Sequence, residues 1–250
     1  MCLLKMFKLI TTMILERRQE LPVPAVNYRL LIGFIIVVIV GLGVIHIFSE
    51  PDKNEDWLPL QPVMLDKIER KYGAMARQRF VEWQQLMVTG KMLPEQDKLE
   101  LVNDFFNRHI TFSSDLVVWL KNDYWATPVE LLAKGAGDCE DFSIAKYFTL
   151  IETGVDESKL RITYVKALQL NLPHMVLTYF ESPQAVPLVL DNLMPNIRSA
   201  TERSDLLPVY SFNGSSLWLA KIKENGQPVG NADRLNMWSD LKQRMLEKVF

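Results

Sequence analysis

Beyond residue 62 the apolar positions first follow a helical period. Leu65, Ile68, Tyr72, Phe80, Trp83 and the Leu86/Met87 pair share one face, and Gly90 is a natural stop. A second helix is expected from Pro94, with Leu99, Val102 and Phe106 turned inward. Thr127-Pro128-Val129-Glu130 has the form of a capping box with proline in the first turn, so a short helix should run to about Gly135. The next helix should open at Asp138, whose carboxylate can take up free backbone amides, and run through Ile144, Phe148 and Ile151 to Gly154. Cys139 then sits in its first turn. After Leu160 the period shortens: RITYVKAL, MVLTYFE, VPLVLD, PVYSF and SLWLAK are rich in β-branched and aromatic residues and predict an antiparallel sheet. Asn213-Gly214, between the last two runs, predicts a tight hairpin turn with positive φ angles. Leu235, Trp238, Leu241 and Met245 return to helical spacing. Helices followed by strands predict an α+β domain, with a cysteine-bearing helix start packed on a sheet.

The first 62 residues read differently. The run 30–48 has no charged residue, and its length at about 1.5 Å per residue approaches the ~30 Å hydrocarbon thickness. Lys5, Lys8, Arg17, Arg18 and Arg29 precede it, while Glu50, Asp52, Glu55 and Asp56 follow. The positive-inside rule then predicts a cytoplasmic segment at 1–28, a transmembrane anchor at 29–48, a proline-containing acidic linker at 49–62 and an exported domain at 63–250. A cleavable signal segment is the rival reading. It fits less well, because the apolar run is long and no small-residue cleavage pattern follows it.

Composition narrows the function. The 28 basic and 30 acidic residues give a net charge of −2 with no long basic run, which argues against nucleic acid as a partner. The two cysteines, Cys2 and Cys139, fall on opposite sides of the expected membrane segment, so Cys139 should be a free thiol in an oxidising compartment. At a helix start it meets the positive end of the dipole and unpaired amides, which favour a thiolate and could hold a developing oxyanion.

A thiolate nucleophile needs a base, and the chain has three histidines. His46 lies in the membrane segment, and His109 closes a predicted helix in a surface position. His174 leads into the MVLTYF strand, where the backbone would fix its ring. Asp191 closes the next strand-like run and could orient the imidazole. Taken singly, each has a plainer role: a structural histidine, a turn-capping aspartate before Asn192, an inert buried thiol. Order and spacing therefore leave a non-catalytic binding module open. Asp138, Glu140 and Asp141 add a further consideration, because three carboxylates beside the nucleophile oppose thiolate formation. Calcium, a hard cation that accepts six to eight oxygens, would offset them, with Asp123 in the upstream loop as a further ligand.

Several segments together resemble the LapG-type bacterial transglutaminase-like cysteine proteinases. They are Asp123-Tyr124-Trp125-Ala126-Thr127-Pro128, Gly137-Asp138-Cys139-Glu140-Asp141-Phe142, Ile144-Ala145-Lys146-Tyr147, Tyr164-Val165-Lys166-Ala167, Pro173-His174-Met175-Val176-Leu177 and Val189-Leu190-Asp191-Asn192-Leu193. The resemblance implies a transglutaminase-like, papain-like core and places the family's Cys-His-Asp triad on Cys139, His174 and Asp191. It also implies a calcium-dependent periplasmic protease that clips the amino-terminal region of a large surface adhesin and so releases the cell from a biofilm. The implied partner is an inner-membrane cyclic-di-GMP receptor that sequesters the protease. The long apolar segment departs from the family pattern and leaves tethered and soluble periplasmic forms open. An amidase, deamidase or acyltransferase acting on cell-wall peptides would use the same triad.

Overall fold

The apolar stripe from Leu65 to Met87 belongs to two helices, α1 (Pro62–Tyr72) and α2 (Ala74–Gly90), and not to one. Gly73 separates them with φ 89°, a left-handed conformation that glycine tolerates and that no helix continues through. Both helices bury their stripes in the same core, so the spacing reads as continuous where the backbone breaks. This computed structural model describes residues 61–214, 216–220 and 228–246. The expected cytoplasmic segment 1–28, the anchor 29–48, Cys2 and nearly all of the linker 49–62 lie outside the described residues. Among the described residues no helix is long and apolar enough to cross a membrane.

The remaining elements follow the predicted order, with additions. They are α3 (Glu95–His109), β1 (Thr111–Phe112), α4 (Asp115–Val118), α5 (Pro128–Lys134), β2 (Ala136–Gly137), α6 (Cys139–Glu152), β3 (Leu160–Ala167), β4 (Leu172–Tyr179), β5 (Leu188–Leu190), β6 (Arg198–Ser199), β7 (Leu206–Phe212), β8 (Ser216–Leu219), β9 (Gly230–Asn231) and α7 (Asn236–Leu246). Seven strands form one antiparallel sheet in the order β6-β5-β4-β3-β7-β8-β9. β1 and β2 form a separate parallel pair. The architecture is α+β, as expected.

Alternation along the strands decides where the core lies. Ile162, Met175, Leu177, Leu190 and Phe212 point to the helical side and join the main core with Phe142, Ile144 and Leu150 of α6. Each such side chain contributes about 1.5–3 kcal/mol on burial. Trp83 also satisfies its indole there by donating to Thr149 Oγ1 at 2.9 Å. Trp238 of α7 closes the far end, its ring 5.5 Å from Phe148 and 5.2 Å from Phe212.

The turn at Asn213-Gly214 differs from the expected tight hairpin, since neither residue has positive φ. The loop closes instead by the Asn213 N–H donating to the Ser216 carbonyl at 3.0 Å and the Ser216 N–H to Asn213 Oδ1 at 3.1 Å. Glycine is needed at 214 for close approach, because a Cβ there would lie 2.0 Å from Glu157 Oε1.

Candidate active site

The sequence around Cys139 builds a helix start held from three sides. Thr127 and Glu130 form the expected capping box of α5, the Glu130 N–H donating to Thr127 Oγ1 at 3.2 Å and the Thr127 N–H to Glu130 Oε2 at 2.8 Å. Gly135, with φ 68°, ends α5, and β2 then pairs with β1 before Asp138 takes the N-cap of α6 with extended backbone. Gly137 admits no side chain, since a Cβ would stand 2.5 Å from Asp141 Oδ2. Cys139 is therefore the first helical residue.

His174 and Asp191 come from neighbouring strands, as the hairpin reading required. β4 carries His174 and pairs antiparallel with β5, which ends one residue before Asp191. The backbone of Met175, the next residue along from His174, lies against the Cys139 sulfur, where it tends to lower the thiol's pKa. His174 Nε2 lies 2.8 Å from Asp191 Oδ1, and both side chains are buried. Burial alone would raise the Asp191 carboxyl. The His174 hydrogen bond and charge, the Leu193 N–H and the Arg203 guanidinium outweigh it and hold the group at about 2. An ionised carboxylate can only accept, so Nε2 carries the proton and Nδ1 is the ring nitrogen left to act as base.

Sequence reasoning missed what supports this pair. Arg203 Nη2 donates to Asp191 Oδ2 at 2.8 Å and to Asp205 Oδ2 at 2.9 Å, and the side chain is buried. From α3, Asn107 Nδ2 donates to the Asp191 carbonyl at 2.9 Å and Asn103 Nδ2 to the Pro195 carbonyl at 2.6 Å. Lys146 of α6 donates to Asn103 Oδ1 at 2.9 Å. Its burial pushes the ammonium down to about 7, against the charges of Asp191 and Asp104. The loop after Asp191 is thus stapled to α3, and Lys146 of α6 braces Asn103 in turn.

On the other side of Cys139 lie acids. Asp115, Asp138 and Glu140 each offer a carboxylate oxygen, all within 4.8 Å of one another. Asp115 Oδ2 accepts the Tyr124 N–H at 2.6 Å, but Asp115 Oδ1 and Asp138 Oδ1 are buried without a partner. Burial raises the Asp115 carboxyl to about 6, with Glu140 and Asp123 adding to the rise and the Tyr124 N–H opposing it. Asp138 is raised further, by burial and then by Glu140, Asp141 and Asp115. The Cys139 thiol donates to Glu140 Oε2 at 3.0 Å. Burial, then Glu140, then Asp138 push its pKa far up.

Two of the expected metal ligands are placed differently. Asp141 stands outside the cluster: fully buried, it accepts the Ala126 N–H on Oδ1 at 2.7 Å and the Asp138 N–H on Oδ2 at 3.4 Å, so both oxygens serve the backbone. Asp123 is near enough for Glu140 to raise its carboxyl, after burial, yet Asp115 supplies the third oxygen of the cluster. Orphaned oxygens on Asp115 and Asp138, with a Glu140 oxygen beside them, fit a hard divalent cation such as calcium, which takes oxygen ligands and tolerates irregular loops.

The family model of the bacterial transglutaminase-like cysteine proteinases matches residues 73–220. Among solved structures, LapG of Legionella pneumophila is 43% identical with a TM-score of 0.63, over 72% of this chain and 97% of its own. An EGTA-treated form of that protein gives the same identity and coverage with a TM-score of 0.64. A calcium-bound form is 41% identical with a TM-score of 0.63, over 74% of this chain and 99% of its own. A comparison with curated protein sequences gave no match.

Proposed function

The chain belongs to the bacterial transglutaminase-like cysteine proteinases, and from that premise we propose that it is a calcium-dependent endopeptidase with Cys139, His174 and Asp191 as its triad. The observation that carries the assignment is the buried His174–Asp191 pair at 2.8 Å, reached through the strand whose Met175 backbone touches the Cys139 sulfur. Nδ1 of His174 takes the thiol proton, the sulfur attacks the scissile carbonyl carbon, and the imidazolium returns the proton to the leaving amine. Water, deprotonated by the same nitrogen, then attacks the thioester carbonyl. That second step frees the carboxyl product and restores the thiol. The Cys139 N–H at the α6 start is the oxyanion donor this geometry offers.

Asp115, Asp138 and Glu140 would hold the calcium ion, which supplies the positive charge that the thiol's surroundings lack. Support for calcium is the fit of these oxygens together with the calcium-bound state of the Legionella relative. Of the four expected ligands, Asp138 and Glu140 belong to this set, Asp115 joins them, Asp123 lies within reach of the Glu140 charge, and Asp141 is left out.

The substrate we assign is the amino-terminal region of a large surface adhesin, cut in the periplasm to release cells from a biofilm. The regulator is an inner-membrane cyclic-di-GMP receptor that sequesters the protease. Segment 29–48 either stays as an inner-membrane anchor or is removed as the export signal. Family membership and the charge asymmetry about that segment support this reading. The test is incubation with adhesin fragments in calcium and in EGTA, beside a Cys139→Ala control, with a pull-down by the receptor's periplasmic part. Full cleavage in EGTA would sink the calcium requirement. Unchanged cleavage by Cys139→Ala would sink the nucleophile.

A further inference from the structure

The two faces of the sheet are finished differently. The outer face carries Val165, Val176 and Val189, a small apolar cluster apart from the main core, with Ala200 and Leu206 packed beside it. Over it opens a cavity of about 310 Å³, within the range of small-ligand sites. Its walls are mostly apolar and include two arginines, Arg161 and Arg203.

The arginines are not equivalent. Arg203 is already over-neutralised by Asp191 and Asp205. Arg161, half-buried, has no carboxylate partner among the described residues. Its guanidinium is held between the rings of Phe180 and Trp218, 4.4 and 4.0 Å from their centroids. Stacking occupies the two faces of the guanidinium and leaves its donors, which lie in its plane, unanswered among the described residues. Among the described residues Nε is buried with no partner, and burial lowers the Arg161 pKa with no neighbouring charge to offset it. A planar cation clamped on both faces, open edge-on and lacking a counter-charge, suits a carboxylate, which guanidinium meets with two parallel bonds.

We propose that this cavity binds an apolar carboxylic acid, its carboxylate on the edge of Arg161 and its hydrocarbon body along Val165, Val176 and Val189. Charge complementarity selects the acid, and the valine floor selects an apolar body over a polar one. A free aromatic or aliphatic acid and the last residue of a peptide ending in Phe or Leu carry the same chemistry. The site lies outside the proposed triad and does not depend on it, although Arg203 borders both.

Calorimetric titration of the full chain with benzoate, with hexanoate and with a pentapeptide ending in Phe tests this. Benzamide, hexanol and the peptide amide serve as uncharged controls. Saturable binding of at least one carboxylate is expected, at least tenfold weaker for its uncharged control and at least tenfold weaker in Arg161→Met. That variant keeps the apolar stem, and its melting curve checks the fold. Should it unfold, Trp218→Leu, which removes one side of the clamp, replaces it with the same expected loss. Binding of the peptide alone would assign the ligand to a chain terminus, and binding of the free acids would assign a metabolite-sized one. No saturable binding of any carboxylate at 10 mM, roughly the weak limit for a specific site, overturns the proposal. Equal affinity for acid and amide, or affinity untouched by the variants, overturns it too. Proteolysis is not part of the readout, so failure here leaves the protease assignment standing.

Discussion

Two sets of buried carboxylates flank Cys139, and they are treated in opposite ways. Asp191 is surrounded by donors: His174 Nε2 and the Leu193 N–H on one oxygen, Arg203 on the other. Its carboxyl falls to about 2 although burial pulls the other way. Asp115 is buried and Asp138 half-buried in the same site, one oxygen of each unanswered among the described residues, and their carboxyls rise. Burial has the same sign in both cases, so the donors and the sign of the neighbouring charges decide the outcome. The Asp191 side is finished by the chain's own residues, whereas the Asp138 side leaves carboxylate oxygens unanswered among the described residues, where the proposed cation would sit.

The comparison breaks most sharply at Asp191. Asp191→Asn keeps the shape but removes the charge and lets the amide impose the wrong imidazole tautomer, so kcat should fall about 10³- to 10⁴-fold. The fold should survive, because Arg203 retains Asp205. Steady-state kinetics on a peptide substrate reads this. A loss of only a few-fold would show that Asp191 does not orient the base.

On the acid side the expected effect is smaller and reverses sign with metal. Glu140 accepts the thiol's hydrogen bond and, after burial, is the largest cause of the raised thiol pKa. In EGTA, Glu140→Gln should therefore speed alkylation of Cys139 by about tenfold, the change in thiolate fraction for one pKa step. With calcium present the same variant should lose protease activity, having lost a ligand oxygen. Iodoacetamide kinetics near neutral pH gives the first sign and proteolysis the second. Slower alkylation in EGTA would mean the carboxylate does not hold the thiol protonated.

Stability against pH sharpens the contrast further. Asp191 has a folded pKa below its unfolded value, so its contribution, about 2 kcal/mol, is present above pH ~4 and lost as pH falls towards ~2. Asp115 has a folded pKa of about 6, above its unfolded value. Its protonated form is favoured by folding, and that advantage is lost as pH rises through the window from about 4 to 6. Metal-free protein should therefore resist urea better at pH 5 than at pH 7, and saturating calcium should remove or invert the difference. Urea midpoints at the two pH values, with and without EGTA, check it. No gain at pH 5 would mean the acids are not forced together in the metal-free fold.

The two sides were unequally legible in the sequence. Cys139, His174 and Asp191 could be selected because each sits at the end of a strongly patterned element, where period and capping residues mark the position. The capping box at Thr127 and Glu130 was legible for the same reason. Asp115 was not, because a two-residue parallel ladder between β1 and β2 ties its segment to the approach of Cys139 and leaves no periodicity to read. Arg203, in an irregular stretch, reads as a surface charge until its two carboxylates are seen. Gly73 was hidden by the stripe itself, which continues across the break.

The smallest expected effect is a control placed between the two sides. Thr127 is buried and fully answered within its capping box, and it neighbours Ala126, whose N–H donates to Asp141. It touches neither the His174–Asp191 pair nor the acid cluster. Thr127→Ala removes the bond to the Glu130 N–H and should lower stability by about 1 kcal/mol, the usual worth of such a cap. Glu130 stays anchored through Arg244 at 2.6 Å, so the helix should persist. The loss should be the same in calcium and in EGTA, with kcat unchanged, because no charge near Cys139 moves. Urea unfolding in both buffers, beside kinetics, measures this. A calcium-dependent loss, or a fall in kcat, would show that the α5 start transmits strain through Ala126 to Asp141, and the two sides of the cysteine would then not be independent.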